Sequence, residues 1–381
     1  MRVLVLGGGL QGSACAFDLL QNPDVERVRL ADVRSDSLAP FLEPYARDPR
    51  LERVTVDARE DVAVGKAMHG MDACANALPY WLNLDIARAA VEHGVHCCDL
   101  GGNTEIVLRQ LELDDAARAK GVSIVPDCGL APGMVNILAE AGIRELHEVR
   151  SVRIFVGGLP QHPMPPLNYQ IVYSLEGVLD YYTTPSWIVR DGKQVQVEAL
   201  SEVEAVVFEQ PLGTLEAFHT AGGLSILTHS YEGRIASMEY KTLRYPGHAE
   251  QMRTIRSLGL LSINPIHVHG QSVVPRQVFI ACAEPRLRRP GARDLVALRV
   301  LVDGRHDGED RQVGWELVDY YDEGKGISAM ERSTGYSLAI TATMQAAGEV
   351  RGSGVKTPDQ AVDPDLYIER LARRGLEIRR I

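Results

Sequence analysis

The feature that most restricts the fold of this chain lies near its start, in "RVLVLGGGLQGSACAFDLLQ". An apolar run leads into Gly7, Gly9 and Gly12, spaced G-x-G-x-x-G, and then into a helical pattern with Cys15, Leu19 and Leu20 on one side. A glycine pattern of this length is common by itself. Its context makes it informative: a strand before, a helix after, and a second strand, "VRLADV", whose Asp32 lies 32 − 12 = 20 residues past the last glycine. Gly7 then serves the tight turn, Gly9 the close approach of backbone to a pyrophosphate, and Gly12 the packing of helix on strand. The helix start, with Leu10 and Gln11, offers free N–H groups to phosphate. Asp32 would accept hydrogen bonds from the adenosine ribose and repel a 2′-phosphate, which favours NAD. Arg34, two residues on, leaves NADP as the lesser alternative.

The alternation continues through "RVTVDA" to Asp57, a helix in "DVAVGKAMHG", a strand in "MDACANALPY", a helix in "IARAAVEHG", and a strand in "VHCCDLGG". One helix through "VLRQLELDDAARAKG" and a sixth strand, "VSIVPD", complete it. Strands alternating with helices predict an α/β fold with a doubly wound parallel sheet, whose ligands lie beyond the carboxyl ends of the strands. That rule places Asp32, Asp57, Asn76, Tyr80, Asp99 and Asp127 on one rim. Asp57 and Asp99 each fit a helix N-cap as well as a ligand role. Ala77, Leu78, Gly101 and Cys128, beside these strand ends, complete the candidate cofactor contacts.

From "EVRSVRIFVGGLP" the rhythm changes to strands such as "VEAVVFE", "ASMEYKTLRY", "ALRVLVDGRHDG" and "QVGWELVDYYD". This spacing predicts a second, α+β domain with a mostly antiparallel sheet. A last helix, "GYSLAITATMQAAGEV", ends at glycines. The expected division is 1–128 for the dinucleotide domain, 129–330 for the substrate and dimerisation domain, and 331–381 for helices that return to the first.

At 381 residues and 45% hydrophobic content the chain has apolar material for two cores. Its formal charge of −11, with no basic run, argues against nucleic acid and anionic membranes. No apolar stretch approaches the roughly 18 residues of a membrane span, and the strand-like start is unlike a signal segment; the expectation is a soluble, cytoplasmic protein. The six cysteines lack CxxC spacing, so reduced thiols are expected, and neither a metal site nor a disulfide framework.

Two polar segments stand out in the second half. "EAFHTAGG" carries His219 and Thr220, and "EYKTLRYPGHAEQM" carries Lys241, Arg244 and His248. A lone His or Arg in a strand is usually a surface residue. Together, Lys241, Arg244 and His248 could form a carboxylate-binding corner, because arginine presents a planar fork to a carboxylate. The junction "IVPDCGLAPGM", where the sixth strand ends, reads either as plain turn chemistry or as part of a site.

These segments, with "NALPYW", "VHCCDLGGNTEIV", "PDCGLAPGMVNILA", "PLNYQIVYSLEGVLDYYT" and "GVKTPDQAV", make the chain resemble the saccharopine dehydrogenase-like family. Within it, the chain is most similar to the NAD-dependent L-lysine 6-dehydrogenases, over essentially its whole length. The resemblance implies a dihydrodipicolinate-reductase-like second domain, a helix returning to the first, a homodimer, and oxidation of a C–N bond of a small amino acid beside a nicotinamide. The reaction expected is oxidative deamination of the lysine ε-amine to the 6-semialdehyde and ammonia. A saccharopine or carboxynorspermidine dehydrogenase is the alternative, and a non-catalytic NAD sensor a remote one. Ala131 occupies a loop position where saccharopine-forming members carry an acid.

Hydride leaves readily only from a carbon bearing a neutral amine. Lysine's side chain titrates near 10.4, so its deprotonation at pH 7 costs roughly 3.4 units, or about 4.6 kcal/mol. A base is therefore needed. Asp127 is the first candidate, with Tyr80 and His219 second. Arg244 and Lys241 would hold the α-carboxylate, with Thr220 and His248 beside them, and Cys128 is a poor nucleophile candidate because hydride transfer needs no covalent intermediate.

Overall fold

The structure, a computed structural model, describes residues 1–381. The N-terminal elements are β1 (Arg2–Leu6), α1 (Leu10–Gln21), β2 (Arg27–Asp32), β3 (Leu51–Thr55), α2 (Asp61–Met68), β4 (Ala73–Asn76), α3 (Asn83–His93), β5 (His96–Asp99), α4 (Thr104–Leu111), α5 (Asp114–Lys120) and β6 (Ser123–Val125). Next come α6 (Met134–Glu145), β7 (Glu148–Pro160), α7 (Leu175–Thr183), β8 (Ser186–Arg190), β9 (Lys193–Val197), β10 (Glu204–Val207), β11 (Thr214–His219), α8 (Leu227–Tyr231) and β12 (Ser237–Arg244). The remainder holds α9 (His248–Ser257), β13 (Ile266–Val268), β14 (Gln271–Val273), α10 (Pro275–Leu287), β15 (Asp294–His306), β16 (Glu309–Tyr320), α11 (Ala329–Ala346), β17 (Gly354–Val355), α12 (Pro358–Ala361), α13 (Pro364–Ala372) and β18 (Arg379–Arg380).

The first sheet is all parallel, in the order β17-β6-β5-β4-β1-β2-β3. Its central strands β1, β4, β5 and β6 are buried on both faces because helices cover both. Side chains alternate accordingly: Val3 and Val5 pack in one cluster with Ala14, Phe17 and Leu338, while Leu4 and Leu6 pack in another with Val64, Met68 and Ile86. Local periodicity accounts for six of these strands. The seventh, β17, is two residues long and comes from far down the chain, so no such pattern marks it. The single helix expected between β5 and β6 is two, α4 and α5, separated at Glu112–Leu113.

The second sheet runs β10-β11-β12-β7-β15-β16-β18, with β8 and β9 attached at β12. All its pairings are antiparallel except β12 with β7. The returning helix α11 is buried nearly all round, since it packs against α1, β4 and β5 of the first sheet and β15 of the second. Ser328 and Glu331 form a capping box at its start, and Asp294 accepts the N–H groups of Ala329 and Met330. At its far end the Gln345 side chain donates to the carbonyls of Cys97 and Ser123. No helix is long and apolar enough to cross a membrane.

Candidate active site

A cavity of about 520 Å³ opens where the carboxyl ends of the first sheet meet β12 and α7. Gln11, Ala77, Leu78, Tyr80, Leu100, Gly101 and Gly129 line one wall; Tyr173, Glu176, Asp180, Tyr181, Thr220, Tyr240, Thr242 and Arg244 line the other. The cavity thus follows from the strand-end rule on one side and from a sheet face on the other.

The glycine loop has the features of a pyrophosphate cradle. Gly7 has φ 93°, and a Cβ on Gly12 would collide with the Gly7 carbonyl oxygen. No side chain caps α1 at Gly9, so its first N–H groups are left for a ligand. Both polar atoms of the Gln11 amide are buried and without a partner in the chain. An enclosed polar group of this kind is expected to meet one when a ligand arrives, and on this ground the residues fit a dinucleotide. Asp32 ends β2 beside the loop, accepting the Gly8 N–H (2.7 Å) and the Arg34 N–H (2.8 Å). Lone pairs remain on it for ribose hydroxyls.

The other rim carboxylates serve their own turns. Asp57 pairs with Arg59, which holds its carboxyl down to about 2. Asp99 is buried, a condition that raises its pKa, and its oxygens accept from Gly101 N–H, Asp127 N–H and the Gln110 amide. Asn76 is likewise buried, bonding Asn83 and the Leu78 N–H. Cys128 is buried, its thiol pointing at the Val125 carbonyl (3.2 Å). Asp99, Asn76 and Cys128, being buried, are therefore withdrawn as direct cofactor contacts, Asp57 is partly exposed and paired with Arg59, and Gln11, Ala77, Leu78 and Gly101 face the cavity.

Asp127, expected as a base facing the substrate, lies under the cavity floor with 1% of its surface exposed. The chain turns there with φ 64°, which carries the side chain back beneath Gly101. A Cβ on Gly101 would collide with Asp127 Oδ1, so only glycine leaves the carboxyl its space. Ser225, itself at φ 52°, donates its hydroxyl to Oδ2, and Oδ1 has no partner. Burial pushes this carboxyl up to about 7. The phenols of Tyr80 and Tyr181 are what the cavity holds in its place. Burial raises the proton affinity of both; Asp180 and Glu176 add to this at Tyr80, and Tyr240, Asp127 and Asp180 at Tyr181.

On the opposite wall β12 sorts its residues by parity. Tyr240, Thr242 and Arg244 face the cavity, and Lys241 faces away. Lys241 donates to Glu204 (2.6 Å) and the Glu202 carbonyl (2.9 Å). His219, its register partner on β11, bonds Glu202 (3.2 Å) on that same outer face. Lys241 as a carboxylate ligand and His219 as a base are thereby corrected: side chains alternate along a strand, and an odd separation reverses the face. Thr220 does face the cavity, where its hydroxyl bonds that of Thr242 (2.7 Å).

Arg244 is 3% exposed and held by a chain of hydrogen bonds. Its Nε donates to the Tyr182 hydroxyl (3.0 Å), which donates to His248 Nε2 (3.0 Å), while His248 Nδ1 donates to the Leu167 carbonyl (3.1 Å). Burial and then Arg244 push His248 down to about 3, so it is neutral and suited to accept. His248 therefore supports Arg244 from behind and does not touch the cavity. The guanidinium also stacks on Tyr169 (4.9 Å) and donates through Nη1 to the Leu243 carbonyl. Its Nη2 has no partner within the chain.

Sequence reasoning missed α7. Glu176, Gly177, Asp180 and Tyr181 line the cavity at helical spacing, with Tyr173 just before the helix, whereas Leu175, Val178, Leu179 and Tyr182 are buried behind. The amphipathic repeat in "YSLEGVLDYYT" was the available signal.

Comparison with known proteins bears on both walls. A family model described as Saccharopine dehydrogenase NADP binding domain matches residues 3–125, and one described as Saccharopine dehydrogenase C-terminal domain matches residues 129–376. The saccharopine dehydrogenase (NADP(+), L-glutamate-forming) of Schizosaccharomyces pombe is 25% identical over 222 residues, 56% of this chain and 48% of its own. The mitochondrial alpha-aminoadipic semialdehyde synthase of Mus musculus is 25% identical over 446 residues, 98% of this chain and 47% of its own. The chain spans about half the length of the curated relatives it matches. In fold it is similar to apo saccharopine dehydrogenase (L-Glu forming) from Saccharomyces cerevisiae, with a TM-score of 0.81 at 20% identity, covering 100% of this chain and 99% of that one. It is also similar to a homospermidine synthase from Legionella pneumophila, with a TM-score of 0.71 at 10% identity, covering 100% and 91%.

Proposed function

As the chain belongs to the saccharopine dehydrogenase family, we propose that it is a nicotinamide-dependent dehydrogenase that oxidises a C–N bond at the ε carbon of a lysine-type amino acid. The observation that carries this reading is the cavity, with a dinucleotide loop at one wall and a buried guanidinium with a free Nη2 at the other. In the balanced reaction a substrate amine, the oxidised dinucleotide and one water give an aldehyde at the oxidised carbon, the released amine or ammonia, the reduced dinucleotide and one proton. A bound dinucleotide supplies the hydride acceptor.

Two substrates satisfy it. The names of the relatives favour saccharopine, a secondary amine that gives the semialdehyde and L-glutamate. The charge of the cavity favours L-lysine, which gives the same aldehyde and ammonia: saccharopine has three carboxylates, and Arg244 is the one cationic side chain among the lining residues. Asp32 supports NAD, and the NADP-named relatives support NADP.

Arg244 binds the α-carboxylate, its geometry set by Tyr182 and His248. Leu100, Leu130, Val156 and Met330 exclude water from the reacting end. Tyr80 and Tyr181 stay protonated at neutral pH, so they donate hydrogen bonds to the nitrogen or to the attacking water. Asp127 is a positioning residue: its charge beneath the floor strengthens the hold of Tyr181 on its proton. The lining holds no imidazole or amine to take the proton, only the carboxylates Glu176 and Asp180, so the substrate ammonium loses its proton to solvent and activity should rise steeply between about pH 7 and 10, toward the ordinary amine pKa.

The test is absorbance at 340 nm with NAD+ and with NADP+, against lysine and saccharopine, with ammonia and glutamate assayed as products. Ammonia from lysine selects the primary amine and glutamate from saccharopine the secondary one. Reduction of neither cofactor by either substrate would reject the reading.

A further inference from the structure

We infer that Glu176, with Asp180 one turn on, binds the ammonium group of the substrate that is not oxidised, and so restricts this cavity to amino acids with one carboxylate and a second amine. The inference rests on the proposed C–N dehydrogenase reading and adds to it the residues that decide substrate charge.

Its first support is the charge inventory of the cavity lining, one arginine against two carboxylates. Arg244 is fixed by Tyr182, Leu243 and Tyr169, with Nη2 and the second N–H of Nη1 left for a ligand, and as a single guanidinium it neutralises one carboxylate. A second carboxylate would meet Glu176 and Asp180 with no further cation among the lining residues, and like charges at close range exclude the wrong partner.

The second support is how the two acids are held. They lie four residues apart on α7, on the face that also carries Tyr181 into the cavity. Asp180 is pinned from outside by the buried Arg276, which also donates to Thr183 (2.9 Å) and the Leu261 carbonyl (2.9 Å). Glu176 makes no hydrogen bond or ion pair within the chain, and it lies at the exposed mouth. A first-turn glutamate would also favour the helix dipole; that role alone predicts no dependence on the amines of the ligand.

The experiment is calorimetric binding of L-lysine, 6-aminohexanoate and saccharopine to the enzyme saturated with NADH, for the wild type and for Glu176→Gln and Glu176→Lys. 6-Aminohexanoate keeps the reacting amine and the carboxylate but lacks the α-amine. Glu176→Gln should weaken lysine about tenfold, the loss of one charge-assisted contact, and leave 6-aminohexanoate within about twofold. Glu176→Lys should weaken lysine further and strengthen saccharopine. Equal weakening of lysine and 6-aminohexanoate, or wild-type binding of saccharopine tighter than lysine, overturns the inference. Because the readout is binding, it stands apart from the 340 nm assay, whose failure rejects the reaction and not the charge selection. Glu176 is the residue to change because Asp180→Asn would leave the buried Arg276 without its partner.

Discussion

On the dinucleotide wall a residue reaches the cavity because a parallel strand ends there; on the opposite wall it does so only if its number along β12 has the right parity. Asp99 and Asp127 both lie near the predicted rim, yet each is consumed by its own turn or floor. Lys241 and Arg244 are both basic and three residues apart, yet one belongs to an outer ion-pair network and the other to the cavity. The first wall shows that topology gives position without giving availability. The second shows that residue chemistry gives availability without giving direction.

The sharpest test of this contrast is a pair of substitutions on β12. Arg244→Ala should lower kcat/KM for a carboxylate-bearing substrate by about 100- to 1,000-fold, on the order of 3–4 kcal/mol for the loss of a buried charged contact. Lys241→Ala should leave kcat/KM within about threefold, and Arg244→Lys should recover only part of the loss, since an ammonium lacks the planar fork. Steady-state kinetics on the three variants reads this directly; equal losses at 241 and 244 would break the parity argument.

On the other wall the expected effect is smaller and confined to the cofactor. Gly12→Ala places a Cβ against the Gly7 carbonyl oxygen, which belongs to backbone and cannot swing aside. NADH affinity, read by fluorescence titration, should fall about 10- to 100-fold while lysine or saccharopine affinity, measured separately by calorimetry, changes little. A parallel loss of both would mean that the two walls are not independent.

A third effect belongs to Asp127; it falls on stability instead of on binding, and it depends on pH. Burial lifts its carboxyl from 3.8 to about 7, so the native state holds this proton more tightly than the unfolded chain. The resulting stability is fully present below about pH 4, is lost as pH rises toward 7, and is flat above, with a ceiling of about 4 kcal/mol. Asp127→Asn cannot ionise. In urea unfolding it should gain on the wild type by about 1–4 kcal/mol between pH 5 and 8, and the rate profile should lose any inflection near 7. An unchanged difference between the two proteins across that range would remove Asp127 as a titrating group.

What could be read from sequence follows the same division. The glycine loop, Asp32 and the alternation of β1 to β6 are local patterns whose meaning does not depend on distant partners. Arg244 and Thr220 were legible as members of two polar-rich segments, but the fate of His219 and Lys241 needed the register of β11 on β12, which brings residues 22 apart into one pair. Asp127 was legible as a strand-end acid. Its left-handed turn, which hides the carboxyl beneath Gly101, was not, because that conformation depends on the space glycine leaves across the sheet. The acids of α7 were passed over because their role comes from the opposing wall.

The strand β17 has a further consequence, in the order of events during synthesis. The first sheet is not complete until residues 354–355 reach β6, and the second gains its outermost strand only when residues 379–380 reach β16. A ribosome that has made the first 330 residues has therefore made most of both sheets and finished neither. The two halves should mature together, late and cooperatively, through contacts that span much of the chain.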